Sequence, residues 1–155
     1  MTDLDHKNYM ERALTLARKA YALGEVPVGA LIVCDGQIIA EAHNERESRP
    51  SALAHAEISC IEIATRKLGR WRLSDCTLIT TLEPCVMCSG AILQARIPAV
   101  IYGAHDPKGG GQSLFELLHR KELNHRVEII SGILTDSCSS LLSEFFQDRR
   151  VKKPQ

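Results

Sequence analysis

Cys76-Thr77-Leu78-Ile79-Thr80-Thr81-Leu82-Glu83-Pro84-Cys85-Val86-Met87-Cys88 carries the chain from a strand into a helix. The run from Cys76 to Leu82 is rich in Thr, Leu and Ile and predicts a strand. Pro84 suits the first turn of a helix, where its missing amide has no partner to lose, so a helix is predicted over Cys85 to Ala95. Ala99 to Tyr102 then reads as another strand, which makes the segment a βαβ unit with parallel strands.

Upstream, Leu4 to Leu23 places Tyr9, Met10, Ala13, Leu14, Ala17, Ala20 and Tyr21 at helical spacing, and Gly24 can close that helix. Val28 to Cys34 and Gln37 to Ala42 flank Asp35-Gly36, a two-residue turn signal for a hairpin. A polar loop, Asn44 to Ser51, leads into a helix over Ala54 to Leu68 with Ile58, Ile61, Ala64 and Leu68 on one side. His55 and Glu57 fall in its first turn. Downstream come a loop from Gly103 to Gln112, a short helix over Leu114 to Leu118, a strand over Val127 to Ile130 and a closing helix over Leu134 to Phe146. This order predicts an α/β fold: a three-layer α/β/α domain whose mixed five-stranded sheet is covered by helices on both faces.

The chain has 155 residues, and one domain spanning residues 1–155 is expected, with 151–155 as a flexible tail. No internal repeat or linker interrupts it. Hydrophobic content of 45% and charged content of 25% fit a folded globular protein and exclude disorder. The longest apolar runs are far too short to span a membrane. The polar, acidic start Met1-Thr2-Asp3-Leu4-Asp5-His6 lacks the basic-then-apolar order of a secretion signal, so a cytoplasmic protein with reduced thiols is expected. The 19 basic and 19 acidic residues cancel, so the chain does not present the global positive field of many nucleic-acid binders. The local excess Arg149-Arg150-Val151-Lys152-Lys153 is the exception, readable as a phosphate contact or as a solvated chain end.

Chemistry concentrates in His55-Ala56-Glu57 and Pro84-Cys85-Val86-Met87-Cys88. With six cysteines in the chain, Pro-Cys-x-x-Cys arises by random placement about once in a hundred such sequences, whereas His-x-Glu is common. Cys85 and Cys88, three apart, share a helix face and can hold one ion. A redox pair or half of a zinc ribbon is the bland reading. The ribbon lacks its second pair, because Cys34, Cys60, Cys76 and Cys138 are singletons, expected to be small buried residues. The redox reading has no use for His55 and Glu57. Three ligands, His55, Cys85 and Cys88, would leave one position of a Zn²⁺ tetrahedron for water, which leans toward catalysis. Glu57, projecting elsewhere from the same turn, is then free to carry protons, although a helix-start Glu commonly serves only the helix dipole.

His-x-Glu followed by Pro-Cys-x-x-Cys is the signature of the zinc nucleobase deaminases. Further segments, Glu25-Val26-Pro27-Val28-Gly29-Ala30, Thr81-Leu82-Glu83, Asn124-His125-Arg126-Val127-Glu128 and Gly132-Ile133-Leu134, resemble the bacterial tRNA-specific adenosine deaminases of the TadA type, from about Tyr9 to Arg150. The resemblance implies a cytidine deaminase-like fold, one Zn²⁺ per subunit on His55, Cys85 and Cys88, and hydrolysis of adenosine to inosine at the wobble position of tRNA. It implies a proton-carrying role for Glu57, contact of Asn44 with the purine, contacts of Asp106 and Lys108 with the anticodon, and an aromatic pair, Phe145 and Phe146, with one ring in the core and Phe146 toward the RNA. It also implies a homodimer.

Two departures stand out. Ser51-Ala52-Leu53 replaces the Asp-Pro-Thr or Asp-Ala-Thr expected before the zinc helix, which bears on its cap. Gly109-Gly110-Gly111 makes the following loop glycine-rich and therefore flexible by expectation. Two other readings stay open: deamination of a free base or nucleotide of the guanine or cytosine type, and a structural zinc in an RNA-binding module.

Overall fold

The computed structural model describes residues 1–152, without the side chain of Lys152. Helix α1 (Asp3–Ala22) opens with a capping box in which the Thr2 hydroxyl accepts the Asp5 amide and the Asp5 carboxylate accepts the Thr2 amide. It buries His6, Met10, Ala13, Leu14, Leu16, Ala17 and Ala20. Gly24, with φ +78°, follows its last turn, and the Glu25 amide donates back to Ala20.

Strands β1 (Gly29–Cys34) and β2 (Gln37–His43) form the antiparallel hairpin, with Asp35 and Gly36 both at positive φ in the turn. Helix α2 (Ala56–Leu68), strand β3 (Cys76–Leu82), helix α3 (Val86–Gln94) and strand β4 (Ala99–Ala104) supply the βαβ unit. A short helix α4 (Gly111–Phe115), a 3₁₀ turn at Leu117–His119, strand β5 (Glu128–Ser131) and helix α5 (Thr135–Lys152) complete the described chain. The sheet order is β2-β1-β3-β4-β5, antiparallel on the hairpin side and parallel from β3 to β5. This is the expected mixed five-stranded sheet.

Its central strands β1, β3 and β4 are buried along most of their length because both faces are covered. Ala30, Ile32, Leu78, Val100 and Tyr102 pack against Ala56, Cys60 and Ala64 of α2 and Ile92 of α3. Leu31, Val33, Ile79 and Ile101 pack against Met10, Ala13 and Leu14 of α1 and Cys138 of α5. The buried line of α2 is Ala56, Cys60 and Ala64, not the stripe of Ile58, Ile61, Ala64 and Leu68 that its pattern suggests. Small side chains let this helix lie close to β1 and β2, and Ile61 and Leu68 pack only at its margin.

Several expectations are corrected. Pro84 precedes α3 instead of starting it, because Cys85 holds the extended N-cap conformation. The short helix begins at Gly111, earlier than Leu114, and α5 runs beyond Phe146 to Lys152, so Val151 and Lys152 are helical. Of the expected flexible tail, residues 153–155 lie outside the described residues. Helix α5 is tied to the end of α1 where Tyr21 donates to Asp148, Arg149 donates to the Gly24 carbonyl, and Tyr21 packs edge-on against Phe145. Among the described residues no helix is long and apolar enough to cross a membrane.

Candidate active site

The site gathers where β3 ends and where α2 and α3 begin. Cys85 caps α3, and its sulfur accepts the Cys88 amide at 3.5 Å. His55 occupies the N-cap position of α2 without making a side-chain cap bond, so its ring is free to turn toward the cysteines. Its Nδ1 lies 3.6 Å from Cys85 Sγ and 3.5 Å from Cys88 Sγ. Zn–S bonds of about 2.3 Å and Zn–N bonds of about 2.1 Å meeting at a tetrahedral angle put sulfur and nitrogen about 3.6 Å apart. The donor set therefore fits zinc in both chemistry and spacing.

Electrostatics agree with that fit. The hydrogen bond with Cys88 holds the Cys85 thiol down at about 4, against the opposing effect of burial, with His55 assisting. The same bond and burial push Cys88 up. Two adjacent sulfurs cannot both be thiolates cheaply unless a cation lies between them. The hydrogen bond with Cys85 also raises His55.

Glu57, one residue into α2, is 4% exposed although it is acidic, and burial pushes its carboxyl up. A helix-start carboxylate serving only the dipole would sit in water. Together with His55, Cys85, Asn44, Arg46, Val26, Val28 and Asp106, it lines a cavity of about 530 Å³ open to solvent.

Asn44 holds a turn and stands beside the cavity. Its Oδ1 accepts the Arg46 amide at 3.2 Å, forming a turn, and its Nδ2 donates to the Val26 carbonyl at 3.3 Å, while the side chain borders the cavity. Asp106 borders it too, with Oδ1 accepting the amides of Lys108 and Gly109. Lys108 is exposed and does not line the cavity. Phe145 is buried, whereas Phe146 is 47% exposed and lines an adjoining cavity with Val26, Asn44, Arg46 and Arg149.

Two buried acids that sequence reasoning passed over organise the surrounding loops. Glu83, with its side chain fully enclosed, accepts the Asp106 amide at 3.2 Å, the Ser113 amide at 2.8 Å and the Ser113 hydroxyl. Glu25, 1% exposed, accepts the amides of Glu47 and Ser48 and the Ser48 hydroxyl. An acid next to proline and a metal motif is the one signal that could have flagged Glu83. The glycine loop is not loose as expected: Gly110 and Gly111 are buried, Gly110 bridges to Cys85, and the Gly111 amide donates to the Pro84 carbonyl at 2.9 Å.

Residues 4–150 match the family model of the MafB19-like deaminases. The tRNA-specific adenosine deaminase of Bacillus subtilis (strain 168) is 48% identical over 146 residues, covering 94% of this chain and 91% of the relative. The chain belongs to the tRNA-specific adenosine deaminases. A solved structure from work on A-to-I editing by tRNA:A34 deaminases superposes with a TM-score of 0.84 at 40% identity, covering 87% of this chain and 99% of the other. A guanine deaminase from Nitrosomonas europaea superposes with a TM-score of 0.75 at 26% identity, covering 90% and 83%. The deaminase fold is thus shared across substrates, and the cytidine deaminase-like architecture expected from the motifs is the one found.

Proposed function

We propose that this deaminase adds water to adenosine at the wobble position (34) of a tRNA anticodon and releases inosine and ammonia, working as a single domain. The observation that carries the reading is the convergence of His55 Nδ1, Cys85 Sγ and Cys88 Sγ beside the buried Glu57. Zn²⁺ held by His55, Cys85 and Cys88, one per subunit, supplies a Lewis acid that brings the pKa of water to about 7. Glu57 takes a proton from the attacking water and passes it to the ring nitrogen beside the attacked carbon; it then takes the remaining hydroxyl proton and gives it to the departing amine, which leaves as ammonia. Burial pushes its carboxyl up, the direction that suits a group that must both accept and return a proton. Asn44 keeps a second amide hydrogen and a second lone pair for the purine edge.

Base extrusion brings the nucleotide into the cavity, leaving the flanking nucleotides outside. Phe146 offers them a stacking surface, and Lys108 and Asp106 meet the anticodon at the other rim. A tRNA substrate implies work in the cytoplasm. The homodimer is supported by exposed apolar Val86, Leu114 and Phe115 on the adjoining α3 and α4. Incubating the zinc-loaded protein with a tRNA bearing adenosine at position 34 and sequencing the product tests the reaction. Inosine is expected there. Ammonia from guanine or cytosine with unchanged tRNA would overturn it in favour of a free-base deaminase.

A further inference from the structure

At the far end of β3 from the cavity, about 20 Å away along the strand, lies a second sulfur cluster that the deamination chemistry does not use. Cys34 ends β1, Cys76 begins β3, and the two are register partners across the antiparallel pair. Asp75 precedes Cys76 directly. The two Sγ atoms and one Asp75 carboxylate oxygen all lie within 4.8 Å of one another. Cys76 Sγ donates to Asp75 Oδ1 at 3.5 Å. Arg70 occupies both Asp75 oxygens from one side, at 2.6 and 2.8 Å, and a carboxylate retains further lone pairs for another partner.

As a bare pair, these thiols are poor nucleophiles. Burial pushes Cys34 up, and burial with the neighbouring Cys34 pushes Cys76 up to about 12. Oxidation to a disulfide proceeds through the thiolate, so the pair resists it. A thiophilic dication changes the balance by cancelling the repulsion that keeps both protons in place. Two sulfurs and an oxygen are a donor set for a d¹⁰ ion, and the exposed side of Asp75 admits water as the fourth ligand. We propose that Cys34, Cys76 and Asp75 form a second thiophilic cation site that takes Zn²⁺ and fastens the β1–β2 hairpin to the start of β3. Filling it releases the two thiol protons to solvent and forms two metal–sulfur bonds, with no change of oxidation state.

The test titrates reduced, full-length enzyme with Zn²⁺ followed by native mass spectrometry, and with Cd²⁺ followed by its thiolate charge-transfer absorption. The wild type is expected to hold one ion more than Cys34→Ser, whether or not the His55 site is filled, with equal deamination of tRNA by both. Asp75→Asn, at an exposed position whose surface ion pair with Arg70 contributes little to folding, is expected to weaken that extra ion at least ten-fold and guards against a misfolded serine variant. Equal ion counts in the wild type and Cys34→Ser, with no effect of Asp75→Asn, would overturn the proposal. So would a wild type that loses two hydrogens and gains no ion at this pair, which marks a disulfide.

Discussion

A β-carbon on Gly110 would collide with Glu83 Oε2, so the carboxylate fills the space that a side chain at this position would need. The contact joins the segment leading to Cys85 with the loop after β4. Gly110→Ala must displace either the buried carboxylate or the loop backbone. A loss of about 1–3 kcal/mol is expected from the overpacking, read by urea unfolding. Glu83→Gln keeps the shape but puts a donor against the Ser113 or Asp106 amide, at a cost of about 1–3 kcal/mol. Unchanged unfolding midpoints in both variants would refute this account of the loop.

Glu57→Gln removes the proton carrier and preserves the volume. Inosine formation in a single turnover is expected to fall by about 10²–10⁴-fold. Zinc content should stay at the wild-type level, whereas Cys85→Ser or a strong chelator should lower zinc and activity together. Substantial turnover by metal-loaded Glu57→Gln would remove the residue from the mechanism.

Glu25 sets a pH dependence of stability. Burial raises its carboxyl, but the Ser48 hydroxyl and the Ser48 and Glu47 amides outweigh that and hold it below its ordinary 4.5. A depressed folded-state pKa contributes stability above the unfolded value that disappears as pH falls through the folded one. Stability at neutral pH should therefore exceed that below pH 4.5, and Glu25→Gln should flatten this part of the profile. Parallel acid-unfolding curves for the two proteins would exclude the latch.

Phe146→Ala should weaken tRNA without harming the core, because the ring is exposed while Phe145 carries the packing. A stacked base contributes about 1–3 kcal/mol, so KM for tRNA should rise about 5- to 150-fold with kcat nearly unchanged. Equal KM values would place the RNA elsewhere.

Phe115→Glu puts a charge on the apolar patch of α3 and α4. Sedimentation should report a dimer for the wild type and a monomer for the variant at the same concentration. A wild type that sediments as a monomer ends the homodimer reading.

The candidate zinc ligands were legible because Cys85 and Cys88 are three apart and because they and His55 sit at helix starts, where local rules apply. Cys76–Leu82 was read to the residue, since a β-rich run with a proline just beyond has little freedom. The stripe of α2 was misplaced because periodicity ranks residues by hydrophobicity, whereas this helix approaches the sheet closely and selects Ala56, Cys60 and Ala64 for size. Gly109-Gly110-Gly111 was misjudged for a related reason. Glycine permits motion in an isolated chain, but here it makes room for Glu83 and Ser89. Lys108 was assigned by resemblance alone, and its exposed position leaves it outside the cavity.

By itself the sequence determined the element order, and it singled out the candidate donors His55, Cys85 and Cys88 with the adjacent acid Glu57 from residue type and from two local motifs. Tertiary structure alone decided that Glu83 and Glu25 are buried latches, that Asn44 and Arg46 share a wall with the candidate metal ligands His55 and Cys85, and that Cys34 meets Cys76. Those pairings depend on which distant segments the sheet register brings together. Short-range propensity carries no information about that register, because it is set by packing both faces of β1, β3 and β4 at once.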